Sequence, residues 1–212
     1  MSVGLSDTVY DYIYQKILAG ELKLGSPISE VAISKELGLS RSPIREALIR
    51  LERVGLIIQY PGRGSFVVDF SLQDIDEIFD TRNLFETYAL RKAFSHMDTE
   101  LLDRIEREII QIANGGAPNA YFKANSSLHA AIISFSGNKR VQRFYEQISA
   151  QISVINRISA LDPSHFSLST KRHLAIIHAM KNGDLEEAEK NLLLHLEEVR
   201  TSTKKNYAIK RS

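Results

Sequence analysis

The sequence predicts a mainly α-helical chain in two parts, a short N-terminal domain of helices closed by a small β-hairpin and then an all-α antiparallel bundle of about six helices. Three observations carry this. Two short apolar-periodic segments meet at Gly38, a strand-turn-strand pattern follows between Leu56 and Val68, and after Phe70 strand alternation stops and helical periodicity punctuated by Gly, Pro, Asn and Asp takes over.

In chain order, Val9, Ile13 and Ile17 recur every four residues and mark a first amphipathic helix, which Gly20 to Gly25 interrupts before a segment from Ile28 to Leu37. Gly38 follows Leu37 where a left-handed C′ residue would end a helix, and Ser40 offers its hydroxyl as the N-cap of the next. Pro43 falls in that helix's first turn, where a missing N–H costs no intrahelical bond. Ile44, Ala47, Leu48 and Leu51 then form one apolar face, with Arg41, Ser42 and Arg45 off it near the N-terminal end. Leu56–Tyr60, the turn Pro61-Gly62-Arg63-Gly64, and Ser65–Val68 read as a hairpin wing with Arg63 at its tip. Together these elements make a winged helix-turn-helix. Between Lys35 and Arg63 six basic residues face three acidic ones, a local excess of three positive charges in a chain of net +1. A helix end that presents arginine forks and a hydroxyl suits guanine edges and phosphates in a major groove.

These residues, "LGLSRSPIREALIRLERVGLI" followed by "GRGSFV", resemble the DNA-binding domain of the GntR family of bacterial transcription regulators over residues 8 to 68. The resemblance implies that Arg41, Ser42 and Arg45 read bases or adjacent phosphates. It further implies that Ser40 caps the helix and touches the DNA backbone, and that Gly62 with Arg63 enters the minor groove.

The domain boundary is expected at about residue 70, giving a DNA-binding domain over 1–70 and a helical ligand-binding and dimerisation domain over 71–212. Ser71 and Asp74 open the first bundle helix, Thr99 is placed to cap a second running to Ile112, and Gly115 to Pro118 break the chain. A third helix covers about Asn119 to Phe135 and a fourth about Lys139 to Ala160. Asp162-Pro163 interrupts, a fifth covers about Ser169 to Lys181, and the last runs through Val199 with a frayed basic tail from Lys204. Composition is that of an ordinary globular chain, 43% hydrophobic and 25% charged. The absence of cysteine excludes disulfides and thiolate metal sites and fits a cytoplasmic location, and no apolar run reaches the ~20 residues that span a bilayer.

The bundle places three histidines on apolar helix faces. His129 sits four residues after Asn125 beside Phe122, Ile132 and Ile133; His173 shares a face with Ile176, Ile177 and Met180; His195 aligns with Ala188, Leu192 and Val199. His178, rotated about 140° from His173 by the helical period, is expected at the surface. A single such imidazole is usually a core residue, whereas imidazoles on three facing helices can bind Zn²⁺, Ni²⁺ or Mn²⁺. Residues 75 to 205 resemble the FCD effector domain that follows the GntR reader in one branch of the family. There an Asp, a His four residues on and two later His hold a divalent metal, which implies Asn125, His129, His173 and His195 as the ligand set, with a neutral amide where the carboxylate is expected.

Two functional classes are then open. The first is a ligand-controlled regulator, by resemblance a repressor, that binds a palindromic double-stranded operator as a homodimer, has no membrane partner, and responds to a small carboxylate effector. Arg82 is the candidate carboxylate partner, or else pairs with Glu86 one turn on. The second is a metal-dependent hydrolase fused to a DNA-binding domain; no Asp or Glu stands beside the histidines in sequence to act as its base.

Overall fold

The computed structural model describes residues 4–114, 118–160 and 163–211, and side chains throughout except at 118–125, 163–164 and 210–211. Packing divides the chain into two compact units, residues 1–71 with 147–154 and residues 72–146 with 155–212.

In the first unit α1 (Leu5–Ala19) buries Val9, Ile13 and Ile17 and ends at Gly20 in the left-handed region. Helix α2 (Glu30–Leu37) begins at Ser29, whose side chain accepts from Ala32 N, and stops at Gly38 with φ 65°. Helix α3 (Arg41–Arg53) buries Ile44, Ala47, Leu48 and Leu51. Full burial of such side chains is worth about 1.5–3 kcal/mol each for the larger ones, so this one face anchors α3. Two ion pairs tie α1 to its neighbours, Lys16 to Glu36 of α2 at 2.9 Å and Arg50 of α3 to Asp7 at 2.6 Å, with Arg50 also lying over the Tyr10 ring.

The wing is larger than the sequence predicts. Strands β2 (Ile57–Tyr60) and β3 (Gly64–Val67) form the expected antiparallel hairpin, but Pro27 and Ile28 form a further strand, β1, on the other side of β3, giving the order β1-β3-β2. Ile28 pairs with Ser65 and is buried, so it belongs to the sheet and not to the start of α2. A two-residue strand is too short to show alternation, which is why the pattern does not reveal it.

The second unit is a bundle of α4 (Leu72–Ala93), α5 (Thr99–Ala113), α6 (Pro118–Phe135), the two ends of α7 (Lys139–Ser159), whose residues 147–154 belong to the first unit, α8 (Pro163–Lys181) and α9 (Leu185–Arg211). Three boundaries differ from expectation. The cap of α5 is Asp98, which accepts from Glu100 N, with Thr99 already helical. Pro163 starts α8 instead of ending the preceding helix, because a first-turn proline forfeits no hydrogen bond. Helix α9 continues past Val199 to Arg211: Thr203 and Tyr207 extend its buried stripe, and Lys204 pairs with Asp76 at 2.6 Å, so the basic tail is packed through this stretch. The break expected at Gly115–Ala117 lies outside the described residues.

Candidate metal centre and nucleic-acid interface

At the N-terminal end of α3, Ser40, Arg41, Ser42 and Arg45 are all exposed, as are Gly62 and Arg63 in the wing. Ser40 occupies the N-cap position with extended backbone, but its hydroxyl makes no capping hydrogen bond, which corrects the sequence expectation. Arg41 forms no ion pair among the described residues. Arg45 donates from Nε to Glu30 Oε2 at 3.0 Å while its side chain stays 62% exposed, so its contact with Glu30 uses one edge of the guanidinium. Gly62 has φ 72°, a conformation that lets the turn close, and the Arg63 guanidinium lies 5.8 Å from the Tyr60 ring centre.

In the bundle, α6, α8 and α9 bring His129, His173 and His195 together, each 4% exposed or less. His129 Nε2 lies 3.2 Å from His173 Nε2, which lies 3.3 Å from His195 Nε2. Two imidazole ligands held tetrahedrally at the usual Zn–N length of about 2.0–2.1 Å stand about 3.3 Å apart, so this spacing is that of a ligand set. Burial lowers the proton affinity of His173 and His195 well below the ordinary histidine range, and the neighbouring rings and Arg82 add to it, which keeps these two rings in the neutral, ligating form. Three ring nitrogens facing one another at this distance are a donor set consistent with a shared divalent cation. His195 Nδ1 is also buried with no hydrogen-bond partner among the described residues. These three form the one such cluster of His, Asp or Glu among the described residues. Asn125 lies on α6, but its side chain is outside the described residues.

Around the triad stand Arg82 and Glu86, which the sequence pairs one turn apart, and Tyr145, which sequence reasoning missed. Helix α4 carries Arg82 and Glu86 on its buried stripe, in line with Ile75, Phe79, Ala89 and Ala93. Arg82 Nε donates to Glu86 Oε1 at 2.9 Å, both side chains being fully buried, so the pairing one turn apart is present; Arg82 Nη1 remains buried without a partner among the described residues. Glu86 Oε1 also accepts from the Tyr145 hydroxyl at 2.8 Å, and Oε2 from His129 Nδ1 at 2.6 Å. Burial pushes the Glu86 carboxyl up, but the Arg82 charge and the hydrogen bonds from Arg82 and His129 outweigh it and hold the carboxyl well below the usual range. Burial raises the Tyr145 hydroxyl well above its ordinary value, so it stays protonated and donates. A carboxylate that is not adjacent in sequence therefore stands beside the histidines in space, but three donors hold it and its lowered proton affinity makes it a poor general base.

His165 was also missed. It lies eight residues before His173 on the same face of α8, buried, with Nε2 3.1 Å from Ser159 Oγ. Since that hydroxyl donates to Asn156 O at 2.7 Å, it accepts from His165. His178 is exposed, as expected, and pairs with Glu106 at 2.6 Å.

A winged helix-turn-helix with an arginine-bearing reader end, joined to a helical bundle with a buried imidazole cluster, defines a DNA-binding regulator with a sensory domain. Residues 5–67 match the family model of bacterial regulatory proteins, gntR family, and residues 77–198 match the FCD domain. The chain belongs to the GntR family, in its FCD-containing branch. It is 26% identical over 190 residues to the HTH-type transcriptional regulator YdhC of Bacillus subtilis, covering 88% of this chain and 85% of that protein. It is 23% identical over 203 residues to the HTH-type transcriptional repressor RspR of Escherichia coli, covering 94% and 89% respectively. The Zn²⁺-bound FCD domain of TM0439 superimposes with a TM-score of 0.58 at 27% identity, covering 65% of this chain and 96% of that one. The chain is thus a DNA-binding transcriptional regulator and not an enzyme, which removes the hydrolase alternative. No helix among the described residues is long and apolar enough to cross a membrane.

Proposed function

We propose that this regulator is a ligand-controlled repressor that acts in the cytoplasm and binds a palindromic operator as a homodimer, with residues 1–70 reading DNA and residues 71–212 supplying dimerisation and effector control. The RspR relative is a repressor, and two-fold protein symmetry is ordinarily mirrored in the operator. Arg41, Ser42 and Arg45 contact bases or adjacent phosphates, Ser40 touches the backbone, and Gly62 with Arg63 enters the minor groove. The observation that carries the DNA assignment is the exposed, arginine-bearing end of a helix whose opposite face is wholly buried.

His129, His173 and His195 hold a divalent ion, with Asn125 as the fourth candidate ligand. When bound, the ion supplies a Lewis-acidic position for a carboxylate effector. The buried Nη1 of Arg82 supplies a second, charge-assisted contact for that carboxylate. An effector can shift operator occupancy only by binding the two regulatory arrangements unequally.

Fluorescence anisotropy on an operator fragment tests the reader. Arg45→Ala should weaken specific binding by about 1–3 kcal/mol, the worth of one bidentate base contact, and unchanged affinity would remove Arg45 from the reading set. Elemental analysis tests the metal: about one divalent ion per chain, lost in His173→Ala, is expected, and a wild-type protein that takes up no Zn²⁺, Ni²⁺ or Mn²⁺ would refute the site.

A further inference from the structure

Glu86 is allocated atom by atom. Oε1 accepts from the Arg82 guanidinium and the Tyr145 hydroxyl, and Oε2 accepts from His129 Nδ1. An ionised carboxylate has no proton to give, so Nδ1 carries a hydrogen, and in the singly protonated ring that ligation requires the lone pair then falls on Nε2. That nitrogen is the one 3.2 Å from His173 Nε2. The three donors come from α4, α6 and α7, and the carboxylate is fully buried among them, so neither water nor a rotamer change offers an easy substitute.

We infer that Glu86 is the positioning residue that makes the histidine cluster competent for a divalent cation, because it holds the His129 proton on Nδ1 and thereby bares Nε2. This rests on the reading of the cluster as a metal site. A carboxylate behind a ligating histidine fixes ring orientation and raises ligand basicity, and losing such a partner costs tenfold to a hundredfold in metal affinity.

The chemistry specifies the effect of Glu86→Gln. An amide accepts at one end only and donates at the other. Its oxygen is drawn to the charged Arg82 guanidinium and the Tyr145 hydroxyl, since charge-assisted hydrogen bonds are the stronger ones. The amide NH₂ then faces His129 Nδ1, which can meet it only as an acceptor. The His129 proton moves to Nε2 and blocks the ligating lone pair. Tyr145→Phe, by contrast, removes one bond to Glu86 and leaves the bond to His129 in place.

Two measurements on the full-length protein test this. Imidazole ¹⁵N spectra of the metal-free protein should show His129 protonated at Nδ1 in the wild type and at Nε2 in Glu86→Gln. Competition for Zn²⁺ against a chelator of known affinity should show a tenfold to hundredfold loss in Glu86→Gln and less than a threefold change in Tyr145→Phe. A wild-type His129 protonated at Nε2 overturns the inference even if the variant fails to fold. So does a folded Glu86→Gln that binds Zn²⁺ within threefold of wild type. A wild type that binds no Zn²⁺ refutes the metal site itself, and that outcome is told apart because it appears before any variant is compared.

Discussion

Arg82→Met isolates the charge at the centre of the bundle. Arg82 is 1% exposed and Glu86 0%, and Arg82 supplies the full positive charge nearest that carboxylate. Breaking a buried pair by removing one partner typically costs about 3–5 kcal/mol, because the remaining charge is left uncompensated. Here Glu86 retains His129 and Tyr145 as donors, which places the loss at the lower end, about 3 kcal/mol for a charge still held by two hydrogen bonds. Methionine fills much of the vacated volume, so cavity cost adds little. Amide hydrogen exchange of chelator-treated protein, read peptide by peptide, measures the change where it occurs. At about 1.4 kcal/mol per tenfold, peptides of α4 should exchange on the order of 100-fold faster, while peptides of α3 exchange at wild-type rates. Exchange in α4 within threefold of wild type would show that the guanidinium contributes nothing net, and the account of a charge-balanced core would be wrong.

Other perturbations test separate elements. Leu51 is fully buried on α3, and Leu51→Ala should cost about 2–5 kcal/mol in denaturant unfolding of the N-terminal unit and abolish operator binding at physiological temperature; a loss below about 1 kcal/mol would contradict the packing assigned to that face. Glu106 of α5 accepts from Lys181 Nζ at 2.5 Å and His178 Nε2 at 2.6 Å on α8. The hydrogen bond from Lys181 leads the causes that hold its carboxyl below the ordinary 4.5, so the pair's contribution is present above that value and lost as pH falls through the lowered one. The melting-temperature gap between wild type and Glu106→Gln should therefore be largest near neutral pH and close in acid, and a gap that widens in acid would reverse the sign of the coupling.

What the sequence discloses of this molecule, and what it hides, follows from the range over which each signal acts. The buried face of α3, the left-handed stop at Gly38 and the hairpin between Ile57 and Val67 are written in residues a few positions apart, and local periodicity reads them. The inward placement of His129, His173 and His195 is legible for the same reason, since each shares a face with apolar neighbours on its own helix. Strand β1 is hidden because its two residues become a strand only by pairing with β3. Glu86 is the instructive omission. With Arg82 one turn before it, it reads only as that arginine's alternative partner. The helix nevertheless contains the correction. Its apolar stripe runs through Ile75, Phe79, Ala89 and Ala93, and positions 82 and 86 fall on it, so the pair must lie inside. A buried charged pair in line with a core stripe requires partners from other helices, and the inward-facing His129 was available as one. Periodicity could have placed Arg82 and Glu86 in the core; that both oxygens of Glu86 are taken, and by which donors, emerges only where α4, α6 and α7 converge.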